Sequence, residues 1–176
     1  DADQLLACLN FSDGAARKLL TNQAQGKESV GAACHGGEAD DGTNLFWGIV
    51  TSIYTGMRKV YVEITTFSDF RLAAACTPEE AALLEVHENQ VLSVRVDPER
   101  IVLSPEKASM SLANCVKGVV ESLHSDMVET FVCVGLPDGT TLRATVDTCT
   151  LDNMHLRDGK KVYAHFASSA VRLVAE

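Results

Sequence analysis

Asn114-Cys115-Val116-Lys117-Gly118-Val119-Val120, then Leu136-Pro137-Asp138-Gly139, then Val162-Tyr163-Ala164-His165-Phe166-Ala167-Ser168-Ser169-Ala170-Val171, is the stretch that decides the fold. Pro137-Asp138-Gly139 is a hairpin turn signal. Around it, Leu142, Ala144 and Val146 point one way, as do Val162, Ala164 and Phe166, the period-2 mark of half-buried strands. The unit from Asn114 to Glu176 therefore reads as compact and all-β. An earlier copy of it precedes it. At an offset of 70 positions, Asn44 falls on Asn114, Gly48 on Gly118, Val50 on Val120, Ser52 on Ser122 and Met57 on Met127. Val62 and Val132, Leu72 and Leu142, Ala74 and Ala144, and Leu103 and Leu173 continue the match without a gap. A register held over about sixty residues marks a tandem duplication.

The repeat divides the 176 residues into two small domains, 41–104 and 111–176, joined by Ser104 to Ser111. In the first, Lys59 to Ile64 alternates polar and apolar, and so do Phe70, Leu72, Ala74 and Cys76, and Leu92, Val94 and Val96. Thr77-Pro78-Glu79-Glu80 opens a short helix: Thr77 can cap it, Pro78 suits its first turn, and the acids favour its N-terminus. Five short strands with one helical turn after the third predict a small closed barrel related to the OB fold. The expected fold is mainly β, two tandem OB-like five-stranded β-barrels preceded by a short helical arm. Units of about 65 residues are marginal alone, so pairing with a neighbour or a second chain would stabilise them. In residues 1–40, 4–9 and 15–20 read as short helices, and Gly26 to Gly42 as a linker. The chain starts at Asp1 without an initiator Met, which suggests a fragment of a longer protein.

Fifteen basic against twenty-four acidic side chains give a formal charge of −9. That argues against a grip on nucleic acid, which rests on clustered Lys and Arg. No apolar run reaches the ~18–20 residues of a membrane span, and no secretory signal is visible. Cys8, Cys34, Cys76, Cys115, Cys133 and Cys149 contain no C-x-x-C pair and read as unpaired thiols in a reducing cytoplasm. Cys76, Cys115 and Cys133 fall in strand-like runs, where a free Cys acts as a small buried hydrophobe. His35, His87, His124, His155 and His165 show no metal-ligand spacing, and His165 falls on the polar phase of a strand, a surface or interface position. No Ser or Cys nucleophile comes with a base and an orienting acid, and no glycine-rich phosphate loop is present, so the chain does not read as an enzyme. Phe46 and Trp47 read as core or dimer contacts.

The order S-x-x-N-x-x-x-G-x-V, a Pro-Asp-Gly hairpin, a short helix and G-x-x-V-x-A-x-x-x-S-x-V resembles the Mop (molybdenum-binding protein) and TOBE family. Here it is Ser111 to Asn114 with Gly118 and Val120, then Gly159, Val162, Ala164, Ser168 or Ser169, and Val171. The resemblance covers residues 41–176. Two copies in a row resemble the effector half of molybdate-responsive transcription regulators. It implies OB-like barrels that dimerise and hold molybdate or tungstate between barrels, with DNA read by a winged-helix domain outside this chain. The alternatives are the TOBE tail of an ABC-type importer ATPase, suggested by Arg95-Val96-Asp97-Pro98-Glu99-Arg100-Ile101, and a free-standing molybdate storage protein.

A tetrahedral dianion needs convergent donors: backbone N–H groups at turns, Ser and Thr hydroxyls, and a Lys or Arg. The family supplies them from the S-x-x-N opening, a T-x-x-S turn before the short helix, and a K-A/S-S turn before the last strand. In the first repeat these positions hold Asp41, Thr43 and Asn44, then Thr77 with Glu80, then Asp97. In the second they hold Ser111 and Asn114, then Asp147 with Thr150, then Ala167 followed by Ser168 and Ser169. Like charges ~4 Å apart cost about 4 kcal/mol at an effective dielectric of 20, so the acids weigh against the first repeat. The expected oxyanion site is therefore Ser111, Asn114, Thr148, Thr150, Ser168 and Ser169, with Thr43, Asn44 and Thr77 as the first repeat's counterparts. The bland alternative is that turn hydroxyls bond their own backbone and that Asn44 and Asn114 brace the opening turn. Gly48 and Gly118 read as close-packing positions in a barrel strand.

Overall fold

A computed structural model describes residues 42–174; the expected helical arm, Asp41, Cys8, Cys34 and His35 lie outside the described residues. The first repeat runs β1 (Asn44–Thr55), β2 (Val60–Thr66), β3 (Arg71–Cys76), α1 (Pro78–Leu83), β4 (Val91–Val96), a 3-10 turn (Pro98–Arg100) and β5 (Val102–Ser104). The second runs β6 (Asn114–Ser125), β7 (Glu129–Gly135), β8 (Thr141–Asp147), α2 (Thr148–Met154), β9 (Lys161–Phe166), a 3-10 turn (Ser168–Ala170) and β10 (Val171–Val174). The offset of 70 thus survives element by element. The fold is mainly β: two five-stranded antiparallel sheets with OB-like strand order and few helices.

The two sheets exchange their last strands. The orders are β10-β4-β1-β2-β3 and β5-β9-β6-β7-β8. Val102 and Leu103 of β5 face His165 and Ala164 of β9, while Arg172 and Leu173 of β10 face Arg95 and Val94 of β4. Contiguous barrels over 41–104 and 111–176 therefore do not describe the pairing, because residues 102–104 complete the second sheet and 171–174 the first. A three-residue strand at a sheet edge gains its hydrogen bonds from whichever edge it reaches, and here the turn at Pro98–Arg100 carries the chain across. The exchange supplies the stabilising partner that units of this size need. Core side chains of both repeats, from Phe46 and Val50 to Phe166 and Val171, form one cluster.

Local rules account for the rest. Thr77 caps α1 in a capping box with Glu80, with Pro78 in the first turn. Leu136 and Thr140 close the second hairpin with Gly139 at φ +86°; Asp69 takes the matching left-handed position, at φ +61°, in the first. A shift in strand register follows Val50 in β1 and Val120 in β6, a β-bulge that bends each long strand around its barrel. Gly118 sits where a Cβ would lie 2.7 Å from the Gly135 carbonyl oxygen and against the Val134 side chain; at Gly48 it would lie 2.6 Å from the Thr65 carbonyl. Gly118→Ala is expected to cost about 2–3 kcal/mol through overpacking, read as a lower urea midpoint at unchanged slope.

Two cysteine expectations are overturned. Cys76, Cys115 and Cys149 are free thiols, but Cys115 is exposed rather than buried. Cys133 is buried and disulfide-bonded. The alternation in β6 turns Cys115 outward, between the buried Asn114 and Val116.

His165 is also not a surface residue: it is 1% exposed, at the seam where β9 receives β5. Its Nε2 lies 2.9 Å from Ser104 Oγ, which donates its own proton to the Glu106 carbonyl at 2.6 Å. Ser104 must therefore accept from His165, which fixes the neutral Nε2–H tautomer. Burial pushes the His165 pKa below its ordinary value. The unfolded chain then binds the proton more readily, so the contribution to stability is complete above about pH 6.5 and is lost as pH falls through the folded pKa. Urea midpoints are expected to fall between pH 7.5 and 5, and to fall less in His165→Asn. The carboxylates do not confuse this window. Backbone N–H groups of Glu129 and Val128 hold Asp126 low; at Asp138 burial raises the pKa, but hydrogen bonds from Ser68 and Thr140 outweigh it. Both contributions are present above the ordinary carboxylate range and lost only below about pH 4.

Candidate oxyanion site between the repeats

The exchange also decides which turns meet. The Ser168–Ala170 turn and β10 pack on β3 of the first repeat, and reciprocally the Pro98–Arg100 turn packs on β8. Any pocket at these turns is built from both repeats. The site residues expected within the second repeat are accordingly divided. Ser169 shares a cavity with Cys76 and Glu80 of the first repeat, whereas Thr148 and Thr150 lie on α2, after β8, the strand on which the Pro98–Arg100 turn packs.

The cavity on the Ser169 side has a volume of about 300 Å³. The first repeat lines it with Cys76, Glu80 and Leu84 among others, and the second with Ser169, Val171 and Arg172. Ser169 and Arg172 bring a hydroxyl and a guanidinium to one wall, the donor types that a tetrahedral anion requires. Glu80 stands opposite. Its Oε2 accepts the Thr77 backbone N–H at 2.8 Å, and Thr77 Oγ1 accepts the Glu80 N–H at 3.1 Å. The Thr77 and Glu80 amides are therefore spent on the chain's own cap, although the Thr77 hydroxyl keeps its proton to donate. Burial pushes the Cys76 thiol pKa up, and the Glu80 carboxylate adds to the rise, so the negative field of Glu80 reaches this wall.

The repeat mates on the other side carry different chemistry. At the offset of 70, Ser169 corresponds to Glu99, Arg172 to Val102, Glu80 to Thr150 and Cys76 to Val146. At those positions an acid replaces a hydroxyl and a valine the cation, although Arg100 lies in the same turn, and Asp147 caps α2 without a side-chain hydrogen bond. Thr150 is exposed. Thr148 Oγ1 donates to the Asp126 carbonyl at 3.2 Å and lies 3.0 Å from Thr130 Oγ1.

Asn44 and Asn114 do something else again. Asn114 Oδ1 accepts the Ala73 N–H at 2.7 Å and its Nδ2 donates to the Ala73 carbonyl at 2.9 Å. Asn44 makes the same pair of bonds to Arg143, at 2.7 and 2.9 Å, with a third to the Val96 carbonyl at 3.1 Å. Ala73 and Arg143 lie on β3 and β8, the terminal strands of the two sheets. Each asparagine thus satisfies backbone groups on the other repeat's edge strand, bracing the repeats against one another rather than its own opening turn. Ser111 lies exposed ahead of β6, and Thr43 is half-buried ahead of β1. Arg172 is the cavity-lining residue that sequence reading missed. Its signal was an arginine in the last strand where the repeat mate is Val102.

Among the described residues no three His, Cys, Asp or Glu side chains are grouped to hold a metal ion, and no helix is long and apolar enough to cross a membrane. Residues 111–173 match the TOBE domain family. The chain is similar to "Molybdenum transport protein ModE" of Azotobacter vinelandii, 28% identical over 131 residues, which are 74% of this chain and 48% of that protein. It is also similar to the protein of the same name from Herbaspirillum seropedicae, 24% identical over 135 residues, 76% of this chain and 50% of that protein. The chain spans about half the length of these curated relatives. Among solved structures, the cytoplasmic molybdate-binding protein ModG, determined with molybdate bound, superposes with a TM-score of 0.73 at 24% identity, over 76% of this chain and 96% of that one. Residues 111–173 thus match the TOBE domain family directly, and a repeat with the same order of elements stands in front of them.

Proposed function

We propose that this chain binds a tetrahedral oxyanion, molybdate or tungstate, in the cavity between its repeats, and serves as the effector and dimerisation half of a molybdate- or tungstate-responsive transcription regulator. The observation that carries the reading is the meeting of Ser169 and Arg172 of one repeat with Cys76 and Glu80 of the other around one cavity. Strand exchange makes that site inseparable from the relative position of the repeats, so an anion bound there favours one arrangement of them over others. Differential affinity of that kind is what a ligand needs to shift an equilibrium. On the other composite side Glu99 stands where Ser169 does and Val102 where Arg172 does, which weighs against an anion there and favours a stoichiometry of one oxyanion per chain. DNA would be engaged by another part of the full protein, in keeping with the −9 charge of this one.

A second reading, a free-standing molybdate storage protein, draws on the likeness to ModG, of which the matched region is 96%. Calorimetric titration with molybdate, tungstate and sulfate tests the binding common to both. Saturable heat at one site per chain for the first two is the expected result, and no heat and no thermal stabilisation by any of the three would overturn it. Whether the anion changes DNA affinity of the full-length protein separates regulator from store.

A further inference from the structure

The composite cavity mixes hydrogen-bond donors with acceptors, and the acceptors are groups that a fully ionised anion cannot use. Its side-chain donors are the Ser169 hydroxyl and the Arg172 guanidinium. Ala75 adds one donor and one acceptor. In an antiparallel strand the N–H and C=O of every second residue face the same edge. Asn114 bonds both groups of Ala73 on the edge of β3 turned away from β2. Two residues on, the N–H and C=O of Ala75 face that same edge, and Ala75 lines the cavity. The Asn114 carboxamide fits Ala73 because it sets an acceptor beside a donor. Glu80 brings the second acceptor. Its Oε2 takes the Thr77 N–H at 2.8 Å, and a carboxylate, with about four lone-pair positions, has others to offer. The repeat mates of Ala75 and Glu80 are Thr145 and Thr150, so this side alone of the two places a carboxylate at that position.

We infer that this cavity also takes hydrogen phosphate, in competition with molybdate, and that Glu80 is the residue that admits it. The inference rests on the reading that the cavity binds a tetrahedral oxyanion, and it adds a proton to the recognition. At neutral pH phosphate keeps at least one proton, whereas molybdate, tungstate and sulfate carry none. The phosphate P–OH donates to the Glu80 carboxylate or to the Ala75 carbonyl. Its remaining oxygens accept from the Ala75 N–H, the Ser169 hydroxyl and the Arg172 guanidinium. A fully ionised anion meets the same two acceptors with nothing to donate, and faces the Glu80 charge as well. Sites built to bond a ligand hydroxyl discriminate against the analogue that lacks it. Glu80 is exposed, so water softens that discrimination here. Molybdate is held by the donors against Glu80, and phosphate with its help. The phosphate level then sets how much molybdate is needed to fill the site.

The test pairs phosphate with sulfate, a tetrahedral anion of similar size that lacks the proton. The full 176-residue chain is titrated with molybdate by calorimetry at neutral pH, in a buffer free of oxyanions, with phosphate or sulfate present as competitor. Phosphate is expected to compete at least about tenfold more strongly than sulfate. In Glu80→Gln the amide oxygen keeps the Thr77 N–H and the NH2 group turns to the cavity. That variant should weaken phosphate, tighten sulfate and close the gap between them. Glu80→Ala, which removes the acceptor without adding a donor, should also lose the phosphate preference. Circular-dichroism melts check that both variants fold. Molybdate binding with phosphate no better a competitor than sulfate overturns the inference and leaves the molybdate reading standing. A phosphate preference that both variants retain overturns the role of Glu80. No heat from molybdate or phosphate overturns the inference and the reading together.

Discussion

Arg172→Glu is expected to weaken molybdate binding about a hundredfold, and Arg172→Ala about tenfold, in calorimetry at pH 7.5. The guanidinium is the one cation on the wall of the composite cavity, and a charge-assisted hydrogen bond to an anion contributes more than a neutral one. Arg172 is itself exposed, so solvent screens it and the alanine effect stays modest. Reversing the charge adds repulsion to the loss and places a second acid across from Glu80. Ser169→Ala should cost severalfold, the share of one neutral donor. The informative counterpart is Glu80→Gln, expected to tighten molybdate about tenfold. A neutral amide removes the like charge while its oxygen can still accept the Thr77 N–H that Glu80 now holds at 2.8 Å. Loss of affinity in Glu80→Gln would mean that the carboxylate organises the turn for the ligand rather than opposing it. Arg172→Glu binding as tightly as wild type would move the site out of this cavity altogether.

How far this arrangement could be read from the residues depends on what each signal encodes. The offset of 70, the Pro-Asp-Gly turn and the alternation of Leu142, Ala144 and Val146 were legible because turn chemistry and period 2 are local. The capping box at Thr77 and Glu80 was legible for the same reason. Strand exchange was not. Alternation says that Val171 and Leu173 belong to a strand, but a four-residue strand does not name its neighbour, and β10 pairs with β4 some 75 residues earlier. Every grouping of site residues by repeat inherits that gap, which is why Ser168 and Ser169 part from Thr148 and Thr150. His165 illustrates the same point from the core: it sits on the polar phase of β9, and it is the arrival of β5 that covers it.

The largest effect on stability is expected at Asn114. Asn114→Ala should lower the unfolding free energy by about 3 kcal/mol, or the melting temperature by about 6–12 °C for a chain of this size. The side chain is 2% exposed and makes both of its bonds to the backbone of one residue, Ala73, across 41 residues of sequence. Removing it forfeits two hydrogen bonds and leaves the Ala73 N–H and C=O buried against the other repeat, where each unmet group carries its desolvation cost. Asn114→Asp should be nearly as damaging, because it replaces the donor to the Ala73 carbonyl with a negatively charged acceptor. Asn44→Ala tests the same device from the other side. Its partner Arg143 is only part-buried, so water can reach the orphaned peptide and the cost should be smaller by a kcal/mol or so. Equal losses at the two sites would mean that the amides stabilise the exchanged dimer of repeats by bonding alone. The predicted inequality means that what they contribute is relief of burial at two sheet edges, which a side chain from the opposite repeat alone is placed to give.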